Sequence, residues 1–178
     1  MPLRIGVISD THGLLRPEAV EFLRGSDRIV HAGDIGAAGV IDALTALAPV
    51  TAIRGNVDTG AWADAFPDTA SVTLGGMHLH VVHDLKQLAI DPAAAGVHAV
   101  IAGHSHAPGI RCVGRVLYLN PGSAGPRRFT LPVTAAEILV EDGGLQPRIV
   151  EQHSPTRRGR ILSHRIRNAL PCRPARGE

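Results

Sequence analysis

Short apolar runs rich in β-branched residues recur along the first 104 residues, and each is bounded by glycine or a polar residue. Such runs are typical of buried strands. They lie at 3–9, 28–33, 50–55, 78–83 and 99–104. Helical patterns separate the first three runs: Pro17 suits a first helical turn ahead of apolar Val20 and Leu23, and residues 38–48 follow the second run. This strand–helix order predicts parallel strands joined by right-handed crossovers.

The second half of the chain has the pattern of hairpins. Apolar segments are interrupted at 75–76, near Gly114 and at 143–144, and each interruption predicts a turn between two antiparallel strands. We expect a helix over 85–95, shortened or divided by Pro92. Parallel units followed by hairpins predict an α/β fold in which two mixed β-sheets pack together and the helices lie outside.

Composition narrows the class of protein. The 178 residues are 44% hydrophobic but only 3% aromatic, so we expect one core built from Ala, Val, Ile and Leu. No apolar run approaches the length of about 18 residues that spans a membrane, and the start of the chain does not resemble a signal peptide. Cys112 and Cys172 form neither a CxxC pair nor a disulfide framework, so we expect reduced thiols. We therefore expect a soluble, cytoplasmic protein that does not bind membranes.

Charge divides the chain into two parts. Residues 153–178 contain seven arginines and one acid, which leaves 11 basic and 15 acidic residues in 1–152. We therefore expect a folded domain over 1–152 and a basic, mobile tail over 153–178. Arginine clusters attract phosphates, so nucleic acid is a candidate partner of this tail, although no aromatic platform accompanies it. The sequence leaves open whether the chain forms a homo-oligomer.

Each of the five apolar runs is followed by side chains that can bind a metal ion. Because ligands of open α/β sheets bind beyond the carboxyl ends of the strands, we expect these side chains to converge at one rim. In extended chain, residues two apart point the same way, and the glycines before three of the candidates allow close backbone approach. The candidate ligands are Asp10, His12, Asp34, Asn56, His83, His104 and His106.

The chemistry of this set favours two metal ions. Seven candidates are too many for one four-coordinate ion but fit two ions that share a carboxylate. Imidazole and carboxylate suit Mn, Fe, Co, Ni or Zn, and two such ions are a device for in-line attack at phosphorus. A single histidine at a strand end is more often structural, and we assign structural roles to His31, His78, His80 and His98.

The ordered motifs resemble those of the calcineurin-like metallophosphoesterases, in particular their small single-domain bacterial and archaeal phosphodiesterases. They are "DTH" (10–12), "GD" (33–34), "GN" (55–56), "H" at 83, "GHSH" (103–106) and "NPGS" (120–123), and the resemblance covers about residues 3–150. It implies a four-layer α/β/β/α sandwich and two divalent ions, with Mn preferred. It places Asp10, His12, Asp34 and His106 on the first ion and Asp34, Asn56, His83 and His104 on the second, with Asp34 bridging.

The function implied is hydrolysis of a small phosphoester, foremost a phosphodiester, by a hydroxide that bridges the metals. Asp34, Asn56 and His104 would be catalytic, the last two beside the phosphoryl oxygens. Many catalytic members have a general-acid His where this chain has Val57. Asp58 or a water would then supply the proton, or Asp58 is a loop cap. Asp84 replaces the usual Gly after the ligand at 83, where it either orients that ligand or alters the loop.

Two alternatives remain at this stage. The chain could be a non-catalytic scaffold for protein assembly, as is the retromer subunit with this fold, which also lacks the general-acid His. Metal-dependent cleavage of bis(p-nitrophenyl) phosphate would separate the two functions. The "NPGS" motif and the two arginines that follow it, Arg127 and Arg128, either contact substrate phosphate or form a plain turn with surface charges. We favour the turn.

Overall fold

The computed structural model of the chain describes residues 1–128 and 130–152, and the backbone of 166–168. Within these residues, two α-helices and eleven β-strands form in the order expected for parallel units followed by hairpins. The elements are β1 (Leu3–Ile8), α1 (Pro17–Leu23), β2 (Arg28–His31), α2 (Ala38–Thr45), β3 (Val50–Ala52), β4 (Thr69–Leu74), β5 (Met77–Val82), β6 (Ala99–Ala102), β7 (Gly109–Val113), β8 (Val116–Asn120), β9 (Thr134–Glu141), β10 (Gly144–Glu151) and β11 (Ile166–Asn168). Short 3₁₀ turns occupy Ala63–Ala65 and Leu85–Gln87.

The strands form two mixed sheets. The first has the order β11-β10-β9-β1-β2-β3, and the second has the order β4-β5-β6-β8-β7. In the first sheet β1, β2 and β3 are parallel, whereas β9 runs antiparallel to β1. In the second sheet β5, β6 and β8 are parallel, flanked by antiparallel β4 and β7. The α/β fold with two mixed sheets is therefore confirmed.

Alternation along β1 shows how the layers are built. Ile5 and Val7 face the second sheet and pack in one core with Leu79 and other residues of that sheet. Ile8 faces the opposite way and packs with Leu23 of α1 and other residues beneath the helices. Each fully buried side chain of this kind contributes roughly 1.5–3 kcal/mol to stability. The sheets are thus held face to face by the inner core, with both helices on the outer face of the first sheet.

The segment over the second sheet differs from the expectation. The helix expected over 85–95 does not form, and a 3₁₀ turn at Leu85–Gln87 is followed by irregular chain. Pro92 lacks the N–H that an α-helix needs, and the Asp91 side chain accepts hydrogen bonds from the N–H groups of Ala93 and Ala94 instead. This loop covers a third cluster of buried apolar residues on the outer face of the second sheet.

Other expectations are corrected or fall outside the described residues. Cys112, on β7, is in a disulfide, so the expectation of two reduced thiols is wrong for this residue.

The tail is described only at Ile166–Asn168, which pairs antiparallel with β10. We expected residues 153–178 to be mobile and named nucleic acid as a candidate partner of this tail. Apart from 166–168, both expectations concern residues that the structure does not describe. In the described part of the chain, helices are too short to cross a bilayer.

Candidate metal centre

The backbone is left-handed at five of the seven candidate ligands. The φ angles are 56° at Asp10, 46° at His12, 54° at Asp34, 64° at His104 and 57° at His106. Such conformations cost roughly 1–3 kcal/mol each outside glycine and persist only where the surroundings hold them. Among the other non-glycine residues that the structure describes, only one, in the turn between β9 and β10, shares this conformation. The strain is concentrated at the carboxyl ends of the strands.

Backbone hydrogen bonds fasten these strand ends to one another. The N–H of Asp10 donates to the carbonyl of Gly33 at 3.0 Å, and the N–H of His12 donates to the carbonyl of Asp34 at 2.9 Å. In the second sheet, the N–H of Gly103 donates to the carbonyl of His83 at 3.0 Å. The loops after β1, β2, β5 and β6 therefore have fixed positions relative to their neighbours.

Glycines preceding the ligands allow the loops to touch. A Cβ atom on Gly103 would lie 2.8 Å from Oδ2 of Asp10, and one on Gly33 would lie 2.6 Å from Nδ1 of His83. A Cβ atom on Gly55 would lie 2.9 Å from Cγ of Asp34. Real Cβ atoms essentially never approach so closely, so the close approach predicted for these glycines is confirmed.

One group of ligand atoms joins the loop after β1 to the loop after β6. Asp10, His12 and His106 each offer an atom, and these atoms all lie within 4.8 Å of one another. Nε2 of His106 is 3.4 Å from Oδ1 of Asp10 and 3.3 Å from Nε2 of His12. The two imidazoles stack with ring centroids 5.2 Å apart. This group has the donor types that transition metals bind.

A second group overlaps the first and links the two sheets. It consists of Asp10, Asp34 and His83, whose ligand atoms also lie within 4.8 Å of one another. Oδ1 of Asp34 is 3.3 Å from Nε2 of His83, and Oδ2 of Asp34 is 3.8 Å from Nε2 of His12. Asp10 belongs to both groups, while Asp34 contacts a histidine of each. Five of the seven predicted ligands thus lie together.

The hydrogen bonds of His83 fix which of its nitrogens faces the site. Nδ1 donates to the carbonyl oxygen of Ala32 at 2.8 Å, so Nε2 is the nitrogen that faces the site. Burial alone would lower the pKa of His83, but the contacts with Asp34 and with the Ala32 carbonyl outweigh it and raise the pKa. Nε2 is buried and forms no hydrogen bond with the described residues, although it lies beside Asp34. A buried imidazole nitrogen aimed at carboxylates without a hydrogen bond suits a metal ion. The residues present therefore fit the metal that the motifs predict.

Burial and charge tune the protonation of these groups. Burial raises the pKa of Asp10 to about 6. Burial alone would also raise the pKa of Asp34, but the contact with His83 and a backbone N–H outweigh it and lower the pKa to about 2. Burial, helped by the charge of Arg128, lowers the pKa of His106 to about 4. Near neutral pH both carboxylates are mainly ionised and His106 is neutral, which are the forms that bind metals.

His104 belongs to neither of these two groups, and Asn56 is exposed in the loop after β3. Nε2 of His104 is 3.7 Å from Oδ2 of Asp84, and 45% of the side chain is exposed. The backbone N–H of His104 donates to the carboxylate of Asp10 at 3.2 Å, which holds this loop against the site. Asn56 is exposed and precedes Val57, whose N–H donates to Oδ1 of Asp34 at 3.0 Å. Both residues are therefore at the rim.

Asp58 is engaged with the backbone. Its buried carboxylate accepts hydrogen bonds from the N–H groups of Ile35 at 3.0 Å, Gly36 at 2.7 Å and Gly55 at 2.8 Å. These bonds join the loops after β2 and β3 on either side of Asp34. They favour the loop-cap role over proton donation.

Histidines assigned structural roles lie outside the two metal-binding groups, as expected. Nε2 of His31 is 2.9 Å from Oγ1 of Thr11, and the Thr11 hydroxyl donates to the carbonyl of Ile35, so His31 donates to Thr11. Burial lowers the pKa of His31 to about 3, which keeps the ring neutral. The side chains of His78 and His80 pair with hydroxyl groups of β4.

The "NPGS" motif supports the site in a way that the sequence did not indicate, since the sequence suggested only a contact with substrate phosphate or a plain turn. Nδ2 of Asn120 donates to the carbonyl of Gly103 at 2.8 Å, and Oγ of Ser123 donates to the carbonyl of Asp10 at 2.9 Å. The motif therefore ties the end of β8 to two ligand loops. The available signal was that "NPGS" is one of the motifs that carry the family resemblance. The spacing of residues along the chain does not reveal which carbonyl groups the motif contacts.

The chain matches the calcineurin-like phosphoesterase superfamily domain over residues 3–143. It is 31% identical over 163 residues to a probable metallophosphoesterase of Methanothermobacter thermautotrophicus, an alignment covering 85% of this chain and 94% of the relative. It is 35% identical over 147 residues to a probable metallophosphoesterase of Methanocaldococcus jannaschii, covering 78% of this chain and 76% of the relative. The chain therefore belongs to the calcineurin-like phosphoesterase superfamily.

Two solved structures share the fold. Vacuolar protein sorting 29 of Entamoeba histolytica, solved in complex with Zn²⁺, has a TM-score of 0.74 and 20% identity, covering 96% of this chain and 99% of that one. An archaeal phosphodiesterase has a TM-score of 0.68 and 25% identity, covering 82% of this chain and 99% of that one. The fold is thus shared by a phosphodiesterase and by a protein named for vacuolar sorting.

Proposed function

We propose that the chain is a metal-dependent phosphodiesterase with two divalent transition-metal ions. The observation that carries the proposal is the pair of overlapping groups formed by Asp10, His12, Asp34, His83 and His106, with Nε2 of His83 directed at the carboxylates. The likeness to an archaeal phosphodiesterase and to two probable metallophosphoesterases supports the same reaction.

The residues divide between the two ions as follows. Asp10, His12, Asp34 and His106 would hold one ion, and Asp34 and His83 would hold the other, so that Asp34, which lies beside His12 and His83, would be shared. Asp10 lies close to Asp34 and His83 as well, and so borders both ions. His104 and Asn56 would complete the second site from the rim. Such ions polarise phosphoryl oxygens and lower the pKa of a water, and we favour Mn among Mn, Fe, Ni, Co and Zn.

The chain's own groups set the limits of the reaction. The low pKa of Asp34 keeps it ionised throughout the physiological range. His104 and Asn56 would lie beside the phosphoryl oxygens, where imidazole and amide N–H groups offset developing negative charge. Val57 cannot donate a proton to the leaving group, and Asp58 is engaged with three backbone N–H groups. We therefore assign Asp58 to hold the loops around Asp34 and expect good leaving groups to react best.

The test uses the purified full chain loaded separately with Mn²⁺, Co²⁺, Ni²⁺ or Zn²⁺. We expect hydrolysis of bis(p-nitrophenyl) phosphate with at least one metal, and loss of more than about 100-fold in Asp34→Asn together with lower metal content. Asp42→Asn, an exposed carboxylate on α2, is the matched control and should keep full activity. Hydrolysis that persists in Asp34→Asn would disprove the assignment.

A scaffold function is the second candidate. It is favoured by Val57, whose exposed side chain cannot act as a general acid, and by the fold shared with vacuolar protein sorting 29. A folded, metal-loaded chain that hydrolyses neither diesters nor monoesters with any of the four metals would favour the scaffold. Elemental analysis of the purified protein then shows whether it contains metal, as we would expect if the metal-binding groups stabilise the fold rather than act in catalysis.

A further inference from the structure

Arg128 extends to the edge of the metal-binding groups. Its Nη2 atom lies 3.5 Å from Nε2 of His12, on the side of the site formed by the loop after β1. This distance exceeds the usual range of about 2.7–3.2 Å for N–H hydrogen bonds, so the contact is weak. The sequence favoured a charged surface turn for this arginine, but its position beside a candidate ligand favours the alternative, a contact with substrate phosphate.

The loop that carries Arg128 is fixed to the site by several bonds. The N–H of Ala124 donates to the carbonyl of Ser9 at 3.0 Å, and Nε of Arg16 donates to the carbonyl of Gly125 at 2.9 Å. A Cβ atom on Gly125 would lie 2.6 Å from the carbonyl oxygen of Asp10, so the loop lies directly against the ligand strand. The guanidinium is therefore presented by a fastened loop rather than by a free surface segment.

Arg128 lacks an anionic partner within the part of the chain that the structure describes. Some arginines of the described chain pair with carboxylates, as Arg4 does with Glu137 at 2.7 Å and Arg54 does with Asp68. Arg128, whose side chain is exposed, forms no such ion pair with a carboxylate that the structure describes. A guanidinium at the mouth of a site, with N–H groups free for two oxygens of one anion, is suited to phosphate.

A metal ion on His12 would strengthen this case. The Nε2 lone pair that now faces Arg128 is the one directed at His106 and Asp34, so it is the atom available for a metal ion. With Nε2 of His12 on a metal ion, the guanidinium N–H groups would have no acceptor at His12. A phosphate ester bound at the centre would supply acceptor oxygens for them.

We propose that Arg128 is a substrate-binding residue that clamps the non-bridging oxygens of a phosphate ester beside the site formed by Asp10, His12 and His106. The inference rests on the proposed function for its substrate class, a phosphomonoester or phosphodiester. It adds to that function a phosphate subsite built by the loop after β8. The same donors hold inorganic phosphate, the common product of monoester cleavage.

The experiment measures inorganic phosphate binding to the Mn²⁺-loaded full chain by titration calorimetry. In Arg128→Met we expect the phosphate Kd to rise about tenfold or more, because charge-assisted hydrogen bonds to the anion are lost. Arg128→Lys keeps the charge without the planar fork and should give an intermediate rise. Arg127→Met is the matched control, and its Kd should stay within about twofold of the wild type. Metal content is measured in every variant to show that the centre is intact.

The outcomes separate this inference from the proposed function. Weaker phosphate binding in Arg128→Met with unchanged metal content supports the subsite, even if no diester is hydrolysed. Equal phosphate Kd values in Arg128→Met and Arg127→Met, or no phosphate binding by the wild-type protein, would overturn it, even if hydrolysis proceeds. If Arg128→Met does not fold, Arg128→Gln and Arg128→Lys are compared with Arg127→Met in the same way.

Discussion

Nε2 of His83 lies 3.3 Å from Oδ1 of Asp34, and this contact joins the two sheets at the site. His83 follows β5 of the second sheet, and Asp34 follows β2 of the first. The donor set can therefore form only when the inner core holds the sheets face to face in one arrangement. The centre depends on packing far from it as well as on its own residues.

Gly103→Ala is expected to damage both stability and metal binding. The new Cβ atom would lie 2.8 Å from Oδ2 of Asp10 and 3.0 Å from the carbonyl oxygen of Ala32, so the loop after β6 must move. Overpacking of this kind typically costs about 1–3 kcal/mol. Urea unfolding gives the stability, and calorimetric titration with Mn²⁺ gives the affinity.

The matched control for this substitution is Gly109→Ala. A Cβ atom on Gly109 would meet no atom within 4 Å, and its backbone is not left-handed. We expect its unfolding free energy to change by less than about 0.5 kcal/mol. Equal losses in the two variants would contradict the close-contact explanation.

His31 should make the metal-free protein less stable in acid. Its folded pKa of about 3 lies below the ordinary value of 6.5, so below pH 6.5 the unfolded chain takes up a proton that the folded chain does not. This contribution to stability is present above pH 6.5 and is lost as the pH falls toward 3. Between pH 7.5 and 4.5 it amounts to about 2–3 kcal/mol.

The measurement compares urea unfolding of wild type and His31→Gln at both pH values, in the presence of chelator. Glutamine keeps an N–H donor for Thr11 but does not titrate. The wild type should lose about 2–3 kcal/mol more than the variant on acidification. If both proteins lose the same amount, His31 is not the titrating group.

Val57→His should broaden the range of leaving groups. With valine, aryl diesters, whose leaving groups need no proton, should be cleaved much faster than alkyl diesters. A histidine here, beside the Asp34 that its backbone N–H contacts, supplies a general acid and should raise the alkyl rate by about tenfold or more. Steady-state kinetics with matched aryl and alkyl diesters measures the change.

Val57→Leu is the control for this prediction, since it changes the side chain without adding a proton donor. It should leave the ratio of aryl to alkyl rates unchanged. Equal aryl and alkyl rates in the wild-type protein would mean that another group already supplies the proton.

The sequence predicted the elements whose signals are local. Apolar runs placed β1, β2, β3, β5 and β6 because a buried strand needs consecutive apolar residues, and glycines between apolar segments located the hairpins. The candidate ligands followed from strand ends, since parallel strands bring those ends to one rim. Asp10, His12, Asp34, His83 and His106 do converge there.

Features that depend on distant contacts could not be predicted in this way. The helix expected over 85–95 failed because Asp91 caps its own turn and Pro92 supplies no N–H. Arg128 lies beside His12 although the two residues are 116 positions apart in the chain, and the spacing of motifs does not predict such a contact. No local motif indicated the disulfide of Cys112 either.

The left-handed backbone at Asp10, His12, Asp34, His104 and His106 has a consequence for anyone who would transplant this centre. Main-chain bends, rather than rotamers alone, decide where these donor atoms point. Copying the side chains onto the ends of straight strands in another scaffold would leave them splayed. A successful graft would have to carry each bend, and the glycine beside it, as one unit.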